Sequence, residues 1–270
     1  MKFKKIKTLL LDGDGVLWQG EQALPGFLEF FDVLKVNKIE WALLTNNNTR
    51  TVDAYIEKLN KFGVSAMKEQ IYTSTTVTVS YIKRKYGNKA RIHVVGMPDL
   101  IKTLSREEFQ LTHGEQLPTQ PPEAVVAGMD RALNHEKVKI AMRLIMGGAE
   151  FIATNTDGSF PTPEGINPGT GMVIGALQAT SNTAPTVIGK PQPAIFKKAL
   201  LNLKSSIEST AMVGDRLETD ILGAKRLGIQ TLLVLSGVCD KEMLTNSTIK
   251  PDHIFESIQE ITEMIREQHL

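Results

Sequence analysis

The sequence predicts an α/β fold with a parallel sheet and a second domain inserted into it. In the first and last thirds of the chain, short apolar runs alternate with amphipathic stretches of helical period, which is typical of repeated strand–helix units. The middle third has strand, helix and Pro/Gly-rich loop signals of its own over ~100 residues, enough for a separate small domain. We therefore expect a discontinuous core domain, residues 1–87 and 185–270, and an inserted α/β cap domain, residues 88–184.

Each element of this prediction follows from its own stretch of sequence. The first third predicts strands in "KTLLLD", "WALLTN" and "QIYTS" and helices near residues 26–37, 51–63 and 75–86. The last third predicts strands in "TVIGKP", "TAMVGD", "TLLVLSG" and "HIF" and helices near residues 193–202, 219–227 and 257–267. Between them, "ARIHVVG" and "EAVVAGMD" predict further strands, and "FIATNTDGSFPTPEGINPGTG" is rich in loop signals. We expect the two outer thirds to form one sheet.

The composition excludes several classes of partner. The 270 residues carry a formal charge of +1, with 41% hydrophobic and 23% charged residues, so the overall charge favours neither nucleic acid nor an anionic membrane. No window approaches the roughly 18 consecutive apolar residues of a membrane helix. Cys239 is the single cysteine, which excludes an internal disulfide and fits a reducing, cytoplasmic compartment. The basic and then apolar start is too short for a secretory signal, so we interpret it as a strand.

Four of the predicted strands end in polar residues. Ligands of a parallel α/β sheet bind outside the carboxyl ends of its strands, so these side chains are expected to converge. Carboxylates that are close together and buried need a cation or a shared proton. Mg²⁺ takes a few carboxylates, keeps several waters and often binds substrate phosphate oxygens, which indicates a phosphoryl substrate. The polar strand ends are Asp12 and Asp14; Thr45, Asn46 and Asn47; Lys190; and Asp215, with Asp220 beyond it.

The two acids in "LLLDGDGVLW" suggest distinct chemical roles. A carboxylate in line with phosphorus can act as nucleophile and form an aspartyl-phosphate, and Asp12 is the candidate. Asp14 is placed to protonate the leaving oxygen and later to take a proton from the attacking water. Gly13 and Gly15 allow the backbone to bend tightly around both acids.

The other strand ends provide groups that stabilise phosphoryl oxygens. Lys190, together with the metal, would balance the charge on the equatorial oxygens. The Thr45 hydroxyl and the backbone N–H groups around Asn46 and Asn47 would hold the same oxygens in place. This set of groups predicts phosphoryl transfer.

Four segments of the chain resemble, in their order, the motifs of the haloacid dehalogenase superfamily. They are "LLLDGDGVLW", "LLTNN", "VIGKP" and "MVGDRLETD". Longer stretches, such as "DGDGVLWQGEQALPG" and "VIGKPQPAIF", resemble its NagD-like and p-nitrophenyl phosphatase-like subgroup, and the resemblance covers nearly the whole chain. It implies a Rossmann-like, doubly wound core, a cap of type C2 and Mg²⁺-dependent phosphomonoester hydrolysis. By motif position, Asp12, the Asp14 carbonyl and Asp215 bind the metal, and Asp220 is either a further ligand or a supporting residue. Gly13 departs from the family, in which this residue is often larger.

The resemblance also directs attention to the inserted domain. In this subgroup, cap loops close over the active site and influence substrate choice, which makes Asp157 and Phe160 in "TNTDGSFP" candidates for substrate binding. Arg131, after "VVAGMD", could meet a second anionic group on the substrate or be an exposed structural arginine. Caps of this subgroup often pair, so a homodimer through the cap is expected. Trp18 and Trp41 are interpreted as packing residues.

Several functions stay open at this point. A phosphotransferase or mutase would use the same aspartyl-phosphate but pass the group to a second hydroxyl. The order of the motifs and the length of the chain disfavour a receiver-type signalling module. The presence of Asp14 disfavours a dehalogenase. A non-catalytic binding protein is disfavoured because all four key residues are present, namely Asp12, Asp14, Lys190 and Asp215. The substrate is a small phosphorylated metabolite; sugar phosphates, nucleotides, phosphoglycolate and aryl phosphates all fit.

Overall fold

The structure is a computed structural model that describes residues 6–162 and 165–268. The strands are β1 (Thr8–Leu11), β2 (Trp18–Gln19), β3 (Gln22–Ala23), β4 (Glu40–Thr45), β5 (Ile71–Thr73), β6 (Arg91–Val95), β7 (Gln110–His113), β8 (Ala124–Ala127), β9 (Glu150–Ala153), β10 (Ser159–Thr162), β11 (Gly165–Pro168), β12 (Thr186–Val187), β13 (Thr210–Gly214), β14 (Gln230–Val234) and β15 (His253–Phe255). The helices are α1 (Phe27–Val36), α2 (Val52–Lys61), α3 (Ser74–Tyr86), α4 (Pro98–Ser105), α5 (His135–Met146), α6 (Gly171–Ser181), α7 (Pro193–Leu203), α8 (Leu222–Arg226), α9 (Lys241–Asn246) and α10 (Ile258–Gln268). A π-helical turn, Leu217–Ile221, precedes α8.

The chain divides into two compact units. Within the described residues, the first unit comprises 6–45, 52–72 and 190–268, and the second comprises 46–51, 73–162 and 165–189. Helix α3 falls in the second unit, where the hydroxyls of Tyr81 and Tyr86 donate to the Glu150 carboxylate of β9 at 2.8 and 2.7 Å. The second unit therefore starts earlier than residue 88, the predicted start of the inserted domain, and it also takes in the short segment 46–51.

The first unit contains a six-stranded sheet with the order β15-β14-β13-β1-β4-β5. Strand β1 pairs in parallel with β13 and β4, and β14 pairs in parallel with β13 and β15. All four residues of β1 are buried, as expected for a strand covered on both faces of a parallel sheet. Helices α1 and α10 pack against each other, and Phe27, Phe30 and Leu34 of α1 are buried because they share one face of the helix.

The second unit has its own parallel sheet, with the order β12-β9-β8-β6-β7. Its core contains Val125, Phe151 and Leu177, and β10 and β11 pair in antiparallel orientation as a separate two-stranded sheet. The prediction of an α/β fold with parallel sheets is confirmed. No helix within residues 6–162 and 165–268 is both long and apolar enough to cross a membrane.

One predicted strand belongs to the other sheet. The segment "TVIGKP" was expected in the same sheet as β1, but β12 within it pairs with β9, with Thr186 opposite Ile152 and Val187 opposite Ala153. That expectation was wrong because a short apolar run shows strand character without showing which sheet it will join. Lys190 therefore does not sit at the end of a strand of the first sheet.

Candidate active site

The first acidic residue follows the central strand of the first unit. The Asp12 backbone N–H donates to the Val213 carbonyl at 2.9 Å and so extends the pairing of β1 with β13. The chain then turns back tightly, with the Gly15 N–H donating to the Trp18 carbonyl at 2.8 Å. Gly15 has φ +84°, and a Cβ there would lie 2.3 Å from Asp215 Oδ2, so only glycine fits at this position. Asp12 is buried, whereas Asp14 is exposed.

The neighbouring strand β13 and the turn after it place two further carboxylates. Asp215 directly follows β13, and its Oδ2 accepts from the Val238 N–H at 2.8 Å. Asp220 lies in the π-helical turn, and its Oδ2 accepts from the Arg216 N–H at 3.1 Å. A Cβ on Gly214 would fall 2.2 Å from Asp220 Cβ, so the glycine at the end of β13 makes room for this acid.

Lys190 joins two of the three acids. Its Nζ lies 2.5 Å from Asp12 Oδ1 and 2.7 Å from Asp220 Oδ1, and it donates to the Leu44 carbonyl at 2.8 Å. The lysine comes from the loop before α7 and is followed by a cis peptide bond to Pro191. Burial disfavours its charge, but Asp12 and Asp220 outweigh burial and raise the pKa of Lys190 above its usual range. The ammonium is therefore charged at neutral pH.

The acids outnumber the cation. Among the described residues, carboxylate oxygens of Asp12, Asp215 and Asp220 all lie within 4.8 Å of one another. Burial, and then the charges of Asp12 and Asp220, raise the pKa of Asp215 well above its usual value. Its Oδ1 is buried without a hydrogen-bond partner among the described residues. A buried, unpartnered carboxylate oxygen beside other acids fits a hard cation, so this cluster could bind a metal.

Thr45 ends β4, the strand beside β1, and is buried. Leu43 pairs with Leu11, so Thr45 and the residues after Leu11 lie at the same end of the sheet. The structure thus brings Asp12, Lys190, Asp215 and Asp220 into one cluster in the first unit, with Thr45 at the same sheet edge.

Asp14 also lies in the first unit, and the other predicted site residues lie in the second unit. The Asn46 amide donates to Asp157 Oδ1 at 3.3 Å, and the Asn155 amide donates to Asp157 Oδ2 at 2.9 Å. The Arg131 guanidinium lies over the Phe160 ring, 6.0 Å from its centroid, at cation–π distance. Asn46 and Asp157 are therefore one contacting pair in this unit, and Arg131 and Phe160 are another.

The sequence pattern predicts Asn46 and Asn47 together as phosphoryl-binding candidates and does not include Asn48. Asn47 Oδ1 accepts from the Thr49 N–H at 2.9 Å, so this side chain shapes its own turn. Asn48 is buried, and its Oδ1 accepts from the Met129 N–H at 3.0 Å. Its amide reaches three acceptors, Thr154 Oγ1, Asn155 Oδ1 and Thr170 Oγ1, at 3.0, 2.8 and 3.1 Å. Asn48 thus anchors the segment 46–51 within the second unit, and the only sequence signal for it is the run "NNN".

Known proteins resemble this chain over nearly its full length. The family descriptions "Haloacid dehalogenase-like hydrolase" and "HAD-hydrolase-like" match residues 9–110 and 187–261. The 5′-nucleotidase YutF of Bacillus subtilis is 33% identical over 95% of this chain and 98% of its own. The 4-nitrophenylphosphatase of Thermotoga maritima superposes with a TM-score of 0.89 at 32% identity, covering 97% of this chain and 98% of that one. For NagD from E. coli the TM-score is 0.83 at 31% identity, with 95% and 98% covered.

Proposed function

We propose a function from the family to which this chain belongs, the haloacid dehalogenase-like hydrolases and, within them, the NagD-like phosphatases. In this proposal the chain hydrolyses phosphomonoesters with Mg²⁺. The substrate would be a small phosphorylated metabolite, and the reaction would pass through an aspartyl-phosphate. The observation that supports this most directly is the contact of buried Lys190 with Asp12 and Asp220, beside an Asp215 whose buried Oδ1 has no hydrogen-bond partner among the described residues.

Asp12 is the nucleophile in this proposal. Lys190 holds its Oδ1 at 2.5 Å, so we assign the attack on phosphorus to Oδ2. The lysine fixes the position of the carboxylate through this contact. Forming an acyl phosphate divides the hydrolysis into two easier displacements.

Asp14 carries the proton. It is exposed, so water can exchange protons with it between the two half-reactions. As an acid it protonates the leaving oxygen of the ester, and as a carboxylate it then accepts a proton from the water that attacks the aspartyl-phosphate. We assign the Thr45 hydroxyl and the N–H groups of Asn46 and Asn47, which follow it directly, to the phosphoryl oxygens.

The Mg²⁺ ion would be held by the Asp12 and Asp215 carboxylates and the Asp14 carbonyl. When bound, it would neutralise charge on the phosphoryl oxygens and favour their approach to a carboxylate. Asp220 supports this site and is not assigned as a ligand, because its Oδ1 pairs with Lys190 and its Oδ2 with the Arg216 N–H. Asp215 has Oδ1 left for the ion.

We assign substrate choice to the second unit, acting as the cap. Its candidate residues are Asp157, which Asn46 and Asn155 hold in place, and the Arg131–Phe160 pair. An arginine suits a second anionic group on the substrate, and an aromatic ring suits a planar one. The relatives' names point to a nucleotide in one case and a nitrophenyl ester in another, so a panel of nucleotides, sugar phosphates, phosphoglycolate and aryl phosphates should identify the preferred class.

Asp12→Asn is the decisive variant, with Asp32→Asn as its matched control because Asp32 is an exposed aspartate on α1. Hydrolysis of p-nitrophenyl phosphate should require Mg²⁺, fall at least about 10³-fold in Asp12→Asn because the nucleophile is lost, and stay unchanged in Asp32→Asn. Acid quenching of the wild type during turnover should trap phosphate on Asp12. Undiminished turnover by Asp12→Asn would show that another group is the nucleophile, and transfer to an added alcohol in excess of hydrolysis would favour a phosphotransferase.

Two further predictions remain to be measured. A homodimer through the cap is checked by light scattering of the full chain during gel filtration. The cytoplasmic location expected from the single cysteine is checked by fractionating cells.

A further inference from the structure

Trp18 contacts the proposed acid–base residue. The indole Nε1–H of Trp18 donates to Asp14 Oδ1 at 3.1 Å. An indole nitrogen can only donate, so the direction of this bond is unambiguous. The ring is fully buried, whereas Asp14 is exposed. A rigid buried group thus holds one oxygen of a solvent-exposed carboxylate.

The ring itself is held on several sides. Tyr55 of α2 stacks on it, with centroids 6.1 Å apart and planes inclined by 30°. Lys58, one helical turn further along α2, places its Nζ 4.4 Å from the Trp18 centroid and donates to the Gly20 carbonyl at 2.5 Å. These contacts leave the indole little rotational freedom, because a packed side chain stays in one rotamer.

Gly13, the residue between the two acids, lies against the Trp18 ring. A Cβ at this position would lie 2.4 Å from Trp18 Cζ2, a distance that real Cβ atoms do not reach. The indole therefore occupies the space that a side chain between the two acids would need. A side chain at position 13 would therefore displace the ring that contacts Asp14.

We propose that Trp18 is a positioning residue for the acid–base step, fixing Oδ1 of Asp14 so that the transferable proton is carried by Oδ2. This inference rests on the proposed phosphatase function. As an Asp12 oxygen forms its bond to phosphorus, the bond from phosphorus to the leaving oxygen breaks, and the proton on Asp14 Oδ2 moves to that oxygen. In the second step a water oxygen bonds to phosphorus, the acyl-phosphate bond breaks, and the water proton returns to Asp14 Oδ2.

The test compares substrates that differ in their need for a proton. Phenyl phosphate releases a more basic phenolate than p-nitrophenyl phosphate, so its cleavage depends more on a general acid. The measured quantity is kcat/KM, which reports the first, leaving-group-dependent step. Trp18→Phe should lower kcat/KM for phenyl phosphate about tenfold more than it lowers kcat/KM for p-nitrophenyl phosphate. General acid–base catalysis contributes roughly 10²–10⁴-fold in rate, and losing the position of the acid should remove only a part of that contribution. Trp41→Phe, which alters a buried tryptophan packed on Phe31, should leave the ratio of the two values unchanged.

A second replacement keeps the test decisive if Trp18→Phe does not fold. The chain has two tryptophans, so in a Trp41→Phe background a tryptophan auxotroph can place benzothienylalanine at position 18 alone. This analogue keeps the bicyclic shape and replaces the N–H by sulfur, so it removes the donor without opening a cavity. The same change in the ratio is expected.

The outcomes separate the two proposals. Equal losses for both substrates, or an unchanged ratio with the sulfur analogue, would show that Trp18 only packs, while the phosphatase function would stand. Failure of the wild type to hydrolyse either ester with Mg²⁺ would overturn the proposed function itself.

Discussion

Replacing Lys190 by methionine should destabilise the first unit by about 3–5 kcal/mol at neutral pH without metal. The ammonium lies 2.5 Å from Asp12 Oδ1 and 2.7 Å from Asp220 Oδ1, and its side chain is 2% exposed. Methionine fills most of the same space but removes the charge. Asp220 is 0% exposed, so water cannot replace the lost partner, and removing one member of a buried ion pair carries a cost of this size.

Urea denaturation followed by tryptophan fluorescence measures this loss in the relevant part of the molecule, because Trp18 and Trp41 both lie in the first unit. EDTA is present throughout, so that no cation compensates for the missing ammonium. Lys225→Met is the matched control, since Lys225 Nζ lies 3.0 Å from Asp252 Oδ1 with the side chains 37% and 24% exposed. Such a pair contributes about 0–1 kcal/mol. Equal losses in the two variants at equal denaturant slopes would refute the argument from burial.

Two further outcomes are expected. Burial and the charges of Asp12 and Asp220 raise the pKa of Asp215. The metal-free folded state therefore keeps a proton on Asp215 that the unfolded chain loses above the ordinary aspartate pKa of 3.8. The free energy of unfolding in EDTA should consequently fall as pH rises from that value. Added MgCl₂ should restore stability most at the highest pH in thermal denaturation, and a gain independent of pH would contradict this. Asn48→Ala should destabilise the second unit by about 1–3 kcal/mol by leaving buried partners such as the Met129 N–H unsatisfied. Hydrogen exchange should show faster opening of β9 than of β1, and equal changes in both strands would contradict the assignment.

The convergence of Asp12 and Asp215 could be predicted from sequence because it depends on local order alone. Each acid directly follows a short apolar run, and the two runs become β1 and β13, paired in parallel with Leu11 opposite Val213. Parallel neighbours end at the same edge of a sheet, so any acid following both must meet there. The same reasoning predicted Thr45 at the end of β4.

The route of Lys190 to the cluster could not be predicted in this way. Its preceding strand, β12, pairs with β9 in the other sheet, a long-range choice that a local pattern does not encode. The lysine reaches Asp12 through a loop and is held by Asp220 and by the Leu44 carbonyl. The π-helical turn that places Asp220 is likewise a product of the packed structure.

The run Asn46–Asn48 shows a second limit of sequence reasoning. Three identical residues follow β4, yet Asn46 donates to Asp157, Asn47 accepts from the Thr49 N–H, and Asn48 is buried among polar partners. Side-chain chemistry is the same for all three, so only their directions and surroundings distinguish them. A pattern can show that polar residues follow the strand, but the hydrogen-bond partners that each side chain reaches in the folded chain decide which of them anchors the segment.

The proposed function gives a physical reason for the excess of acids over cations in this cluster. The ammonium of Lys190 contacts Asp12 and Asp220, whereas burial and the charges of these two acids raise the pKa of Asp215. Such an excess destabilises a protein that has only to fold, because a buried carboxylate without a partner is costly. It is useful to a protein that must bind a divalent cation and then a phosphoryl group, since the ion both pairs the remaining acid and leaves positive charge for the substrate. Under the proposed function, cation binding and the stability of the first unit would be linked, because both would depend on the Asp215 carboxylate.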